Sequence, residues 1–312
     1  MDDSAVLALD SLCCGEHART LIAERLARLV ALQAEVLADR DPEPLHQMRV
    51  SFRRLRSTLE QFGPALLLPD AADPERIARI GHRLGLTRDL DVLRQRLDDQ
   101  LLPQLTEREV KQLKPLFKQL RRERRLAFEE LGEALHGRRY LKLLAQLQAW
   151  LKKPCFTAIG DDLLAAWRPE LLQAVLAGLT TLPGWWANGP YDDSDAADLH
   201  RLRRRIKRAR YGLSNLELLD PVAFSPWIAR LRRMQELLGD LNDLQLIEEA
   251  LHRQLDGPPD QLVPGLCSLL TEQRGQSWQL WREQADALRH AEGRAQLHAL
   301  QLGEASGTTT QP

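Results

Sequence analysis

Cysteine is scarce in this 312-residue chain. Cys13, Cys14, Cys155 and Cys267 are the four present, and no two of them form a Cys-x-x-Cys pair. That spacing excludes a zinc ribbon, adjacent Cys13 and Cys14 make a poor disulfide, and a reduced, cytoplasmic setting is expected. No apolar run approaches the roughly 18 residues that cross a bilayer, so no membrane span is expected. The opening MDDSAVLALDSLCCGEH is acidic and lacks a basic n-region, so no secretory signal is expected either. Val, Ile and Thr are sparse and no stretch alternates as a strand would, which argues against sheet. A P-loop, a Gly-x-Ser-x-Gly elbow and a His-Glu-x-x-His helix are all missing. What remains is rich in Leu, Ala, Arg and Glu, the composition of helices. Hydrophobic residues make up 44% and charged ones 28%, which marks a globular chain of one large or two medium domains.

Helical periodicity is nearly continuous. It predicts helices over residues 16–39, 43–62, 74–101, 107–136, 138–152, 161–181, 193–219, 225–256 and 260–302. Proline and glycine supply the breaks at Asp41-Pro42, Gly63-Pro64, Pro69, Lys153-Pro154, Pro183-Gly184, Asn188-Gly189-Pro190, Pro221 and Gly257-Pro258-Pro259. The polar tail 303–312 is expected to be disordered. The fold class is therefore all-α.

An internal repeat organises these helices. HQMRVSFRRLRSTLEQF begins at His46 and HRLRRRIKRARYGLSNL begins at His200, an offset of 154. The same offset carries Arg76 to Arg230, Arg79 to Arg233, Leu84-Gly85 to Leu238-Gly239, Asp89 to Asp243 and Leu90 to Leu244. An offset held without a gap over some 45 residues points to two pseudo-symmetric four-helix bundles, residues 1–155 and 156–302.

The repeated segments carry unusual charge for a chain of net charge −1. Between His200 and Arg210, eight of eleven residues are His, Lys or Arg. Like charges at helical spacing weaken a helix by a few tenths of a kcal/mol per pair. At 100° per residue, Met48, Phe52, Leu55, Leu59 and Phe62 fall on one stripe, as do Leu202, Ile206, Ala209, Leu213 and Leu216. His46, Arg49, Arg53 and Arg56 lie on the other side, and His200, Arg203, Lys207 and Arg210 repeat that arc. Arg54, Arg204 and Arg208 flank the two ridges. A third stripe, Lys111, Lys114, Lys118, Arg121 and Arg125, lies on one face of the helix after Thr106, and the matching stretch in the second half is not basic. One such ridge is ordinarily a solvated face. Two at one offset, with few acidic residues at i±4, indicate an anion site. Arginine forks suit phosphate oxygens, and several parallel rows suit a long polyanion. His46 and His200 head the ridges; as anion contacts they would strengthen below about pH 6.5. No His-x-x-x-His or Cys/His cluster accompanies them, so no metal or other cofactor is expected. Trp185-Trp186 and Trp278-x-x-Trp281 read as core.

The segment DPEPLHQMRVSFRRLRSTLEQF, together with LGLTRDLDVL and LGDLNDLQL, strongly resembles the CHAD domain, the histidine-containing α-helical domain. The resemblance runs from about His17 to about Leu302 and departs from the family pattern between Gly257 and Gln279. It implies two pseudo-symmetric bundles around a basic central groove, binding of inorganic polyphosphate, and recruitment to polyphosphate or storage granules. The positions that match the family's motif are His46, Arg49, Arg53, Arg54 and Arg56, then His200, Arg203, Lys207, Arg208 and Arg210. Such domains can be fused to a CYTH-type triphosphatase, marked by Glu-x-Glu-x-Lys, and Glu107-Arg108-Glu109-Val110-Lys111 matches that string. In that enzyme the carboxylates share one face of a strand. Here Thr106-x-x-Glu109 reads as a capping box opening a helix, which puts Glu107 and Glu109 about 200° apart. The reading is a non-enzymatic polyphosphate binder. RNA binding and a scaffold for an acidic partner are the alternatives, the first weakened by ridges with few interleaved aromatics.

Overall fold

The computed structural model describes residues 11–189 and 193–302; the tail 303–312 lies outside them. The described residues are almost entirely helical and contain no strand, only the isolated bridges Cys13–Leu163 and Leu66–Phe156. The first half holds α1 (Cys14–Ala38), α2 (Pro42–Phe62), α3 (Pro74–Arg96), the short α4 (Glu107–Gln112), α5 (Lys114–His136) and α6 (Arg138–Lys152). The second holds the short α7 (Ala158–Asp161), α8 (Arg168–Leu176), α9 (Asp193–Leu216), α10 (Pro221–Gln254), the short α11 (Pro259–Leu262), α12 (Pro264–Arg289) and α13 (Ala291–Leu302).

Local chemistry sets the ends. Helices α2, α3 and α10 each open on an Asp-Pro step. Asp41 accepts from the Glu43 N–H at 2.9 Å, Asp73 from Glu75 at 2.7 Å and Asp220 from Ala223 at 3.0 Å. In each case a proline takes the first helical position, where its missing N–H costs nothing. Helix α10 starts four residues before the predicted 225 and runs through Pro226. The carbonyl that Pro226 leaves unbonded belongs to Val222, an exposed residue near the helix start.

Four predicted helices are interrupted. The stretch 74–101 stays helical to Arg96 and then widens into one π-turn, Leu97–Leu101. The stretch 107–136 breaks at Leu113, because Pro115 cannot donate back into the preceding turn. Beyond Asp161, which ends α7, the stretch 161–181 is α-helical only over α8, which Pro169 opens and Gly178, at φ 69°, closes before a 3-10 turn at Leu179–Thr181. The stretch 260–302 breaks at Val263, before Pro264, and at His290, whose backbone is extended.

Packing follows the repeat. Helix α2 lies between α1 and α3, α3 packs on α5, α9 packs on α10, and α10 on α12. The predicted apolar stripes of α2 and α9 are fully buried, and the two helices pack against each other. There Gln61 and Asn215, 154 residues apart, meet directly: the Asn215 amide donates to Gln61 Oε1 at 2.8 Å. The larger apolar core draws on both halves, from Cys14 to Leu300. A smaller core joins the ends of α3 and α10 to the starts of α5 and α12. Trp185, Trp278 and Trp281 are core, and Trp185 stacks on Trp281 at 5.5 Å. Trp186 is not: it is 48% exposed, since a 3-10 turn sends its ring to the opposite side.

Close approach of α8 to α9 requires glycine at position 212. A Cβ there would stand 2.5 Å from Val175 Cγ1. Gly212→Ala is expected to cost about 1–3 kcal/mol by overpacking, read as a lower denaturation midpoint with an unchanged fold.

Candidate polyanion site

The charged faces of α2 and α9 meet where one core gives way to the other. On α3 the first core ends at Leu84 and the second begins at Leu93; on α10 they are Leu241 and Leu244. Between them stand Arg88 and Asp89 on α3, and Asn242 and Asp243 on α10.

Five ridge cations form one electrostatic cluster: Arg49 and Arg53 from α2, with Arg203, Lys207 and Arg210 from α9. Burial pushes the Lys207 amine down to about 7, Arg203, Arg53 and Arg49 push the same way, and Asp89 opposes them. Burial likewise lowers Arg53, against Tyr211 and with Arg49, Arg210 and Arg203. The Arg53 and Arg210 guanidiniums lie over the Tyr211 ring at 5.9 and 4.6 Å. One carboxylate answers the cluster directly, Asp89, which pairs with Arg49 at 3.0 Å. Its repeat mate Asp243 is pushed up by burial and by Asp89, against a hydrogen bond from Asn242 and the charges of Arg203 and Arg96.

The Leu-Gly steps of the repeat have a physical reason here. A Cβ on Gly85 would meet the Arg49 guanidinium at 3.6 Å, and one on Gly239 the Arg203 guanidinium at 3.4 Å. Each glycine gives a flat helix surface on which an arginine lies. The Nε atoms of Arg53, Arg88, Arg203 and Arg210 and the Tyr211 hydroxyl are buried without a hydrogen-bond partner. A buried donor left unsatisfied costs about 1–3 kcal/mol, so the cluster is built with donors to spare.

The remaining predicted residues fall at different distances from this centre. His46 is half-buried and lowered by burial and by Arg88. His200 is exposed and lowered by burial and then Arg203 and Arg204, against an Asn242 hydrogen bond. The ordinary midpoint near 6.5 expected for both histidines is thus corrected downward. Arg204 is exposed near His200. Arg54 turns toward α1, where it lines a cavity of about 410 Å³ with Arg25 and Arg28. Arg208 faces Arg205, and Arg56 pairs with Glu60 at 2.8 Å. Lys114, Lys118, Arg121 and Arg125 are exposed on α5, which packs on α3. Arg121 donates to the Phe117 carbonyl, and Arg125 approaches Glu129 at 3.8 Å. Among the described residues no hydrogen bond or ion pair joins that stripe to the cluster.

Arg88, Arg96 and Tyr211 belong to the cluster or its wall, and sequence reading passed them over. Arg96 reaches Asp240 at 3.3 Å and Gln273 at 3.2 Å. Arg88 sits beside Asp89 in the LGLTRDLDV segment, which was the available signal.

Glu107 and Glu109 are not a paired-carboxylate site. Thr106 and Glu109 form the capping box, and Glu109 also accepts from the Gly265 N–H at 2.6 Å. That carboxylate clamps the start of α12 to α4. Among the described residues no helix is long and apolar enough to cross a membrane.

The chain is similar to known proteins over most of its length. The CHAD domain matches residues 20–252. Two uncharacterized proteins of Mycobacterium tuberculosis, MT2285 and Rv2226, are 29% identical over 250 residues, 75% of this chain. The chain spans 44% of their length. The crystal structure of the CHAD domain from the plant Ricinus communis superposes with a TM-score of 0.61 at 27% identity, covering 93% of each chain. PptA from Streptomyces chartreusis has a TM-score of 0.63 at 19% identity, over 92% of this chain and 99% of that one, a likeness of fold.

Proposed function

Because the chain belongs to the CHAD-domain family, we propose that it binds inorganic polyphosphate, without turning it over, through the facing ridges of α2 and α9. The observation that carries this reading is the cluster itself: five cations from two helices, one directly paired carboxylate, and four buried arginine Nε donors without acceptors. A chain of phosphates supplies what the cluster lacks. Each phosphate offers several acceptor oxygens to a guanidinium fork, and its charge relieves the repulsion between the ridges. A linear polyanion engages both helices at once, so affinity should rise steeply with chain length. Granule recruitment follows from the same multivalency, since a granule surface presents many chains together. RNA is the competing polyanion, but Tyr211, the aromatic of the cluster, is buried beneath two arginines rather than open for stacking.

A binding titration across a salt series tests this, with long-chain polyphosphate, a short oligophosphate and a single-stranded RNA side by side. The expected result is length-dependent binding that prefers polyphosphate and weakens steeply between about 50 and about 200 mM salt, as counterions are released. Equal affinity for RNA, or no binding to either, overturns the reading.

A further inference from the structure

A second charged groove lies away from the α2/α9 cluster. It is a cavity of about 1300 Å³ between the first half of α3 and the start of α6. That exceeds the roughly 300–1,000 Å³ of a small-molecule site. Arg76, Arg79 and Arg83 line it from α3, and Arg138, Arg139 and Lys142 from α6. All six are exposed. Glu130 and Glu133 are the two carboxylates in the lining, and Glu130 is taken up by an ion pair with Arg83. Arg79, Arg138, Arg139 and Lys142 make no ion pair among the described residues. Arg138 and Arg139 stand in the first turn of α6, where positive charge opposes the helix dipole, so helix stability does not explain them.

Neither does the repeat. The offset of 154 carries Arg138, Arg139 and Lys142 onto Glu292, Gly293 and Gln296. Arg76 and Arg79 do have repeat mates, Arg230 and Arg233, so it is the α6 side of the rim that belongs to the first half alone. The groove is also separate from the polyphosphate cluster. At 100° per residue, Arg76, Arg79 and Arg83 lie roughly 160° around α3 from Gly85, Arg88 and Asp89.

The floor of the groove distinguishes its ligand. Ala71, Ile80 and Leu143 are buried beneath the cationic rim, and Ala78 and Ala134 are half-buried beside them. A phosphate chain has no apolar face and would leave that floor uncovered. An amphipathic helix with a carboxylate-rich face covers the aliphatic floor with one side and meets the rim with the other. We propose that this groove docks an acidic, amphipathic helical segment of a partner protein, independently of polyphosphate held between α2 and α9.

The test uses the full chain and a 15-residue synthetic peptide, with leucine at helical spacing on one face and glutamate on the other. A scrambled peptide of the same composition is the control. At about 0.15 M salt, screening acts over about 8 Å and keeps the two sites electrostatically distinct. The patterned peptide is expected to bind at least about tenfold tighter than the scramble. Arg79→Gln with Arg139→Gln should weaken it about tenfold, since each removes a charge-assisted contact, while polyphosphate affinity stays within about twofold. Arg53→Ala with Lys207→Ala should do the converse. Arg79→Glu with Arg139→Glu should abolish peptide binding with the helical circular dichroism intact. No peptide binding, equal binding of the scramble, or loss of polyphosphate binding in the Arg79/Arg139 variants would overturn the proposal. The last outcome would make the groove part of the polyphosphate path.

Discussion

Replacing Arg53 and Lys207 together with alanine is expected to weaken polyphosphate binding by at least about 100-fold, since hydrogen bonds to charged groups contribute about 1.5–3 kcal/mol each. These residues are repeat mates, one from each ridge, and each feels the other's charge. Losing both removes one contact from each ridge, so a chain bridging α2 and α9 loses hold at both ends. Both project away from the apolar stripes, and the surrounding core residues Phe52, Leu55, Ile206 and Ala209 are untouched. Helical circular dichroism should be retained. The thermal midpoint should stay near that of the parent, because relief of like-charge repulsion offsets the lost packing of two long stems. Titration with long-chain polyphosphate reads the affinity. Unchanged affinity in a folded double variant would remove the cluster from the binding surface.

Polyphosphate affinity is also expected to fall as pH rises above 7, by about tenfold per unit between roughly pH 7.5 and 9. The Lys207 amine titrates at about 7 in the free protein because it is buried among Arg203, Arg53 and Arg49. Above that pH it is neutral. A bound phosphate chain favours the ammonium and raises its midpoint, so binding takes up a proton wherever the free form has lost it. Below pH 7 the amine is already charged and this dependence flattens. Further strengthening then comes only as His46 and His200 protonate, below their ordinary midpoint of 6.5. Lys207→Arg supplies a charge that does not titrate, so its affinity should be flat across pH 7–9. Titrations at several pH values on both proteins check this, and a slope that survives in Lys207→Arg would assign the proton elsewhere.

Much of the fold was legible because the chain repeats itself. The apolar stripes of α2 and α9 follow from period alone, and every residue assigned to them is buried. The capping box at Thr106 and Glu109 was equally readable, since it needs only four neighbouring residues. Helix interruptions were harder. Pro115, Pro169 and Pro264 sit inside patterns that otherwise keep helical period, and a proline that opens a new helix looks in sequence like one tolerated within an old one. Pro226 is the opposite case.

The site was legible as two ridges and illegible as a cluster. Arg49, Arg53, Arg203, Lys207 and Arg210 could be found from spacing. Their depth could not, because Lys207 is half-buried only where α2 and α9 cross. Arg88 and Tyr211 join them through packing between helices, which spacing along one helix cannot report. Arg56 shows the reverse error: Glu60, one turn on, was visible and neutralises it. The α5 stripe was grouped with the ridges by composition, yet α5 packs on α3 and holds Lys114, Lys118, Arg121 and Arg125 on an exposed face.

A crystal structure of the chain with bound polyphosphate decides whether the α2/α9 cluster is the binding surface. Phosphate oxygens are expected within hydrogen-bond distance of Arg53, Arg203, Lys207 and Arg210, with the buried arginine Nε atoms satisfied and Asp89 displaced from Arg49 or shifted aside. Phosphates lying along Lys114, Lys118, Arg121 and Arg125 instead, with the Arg49–Asp89 pair intact, would contradict that assignment.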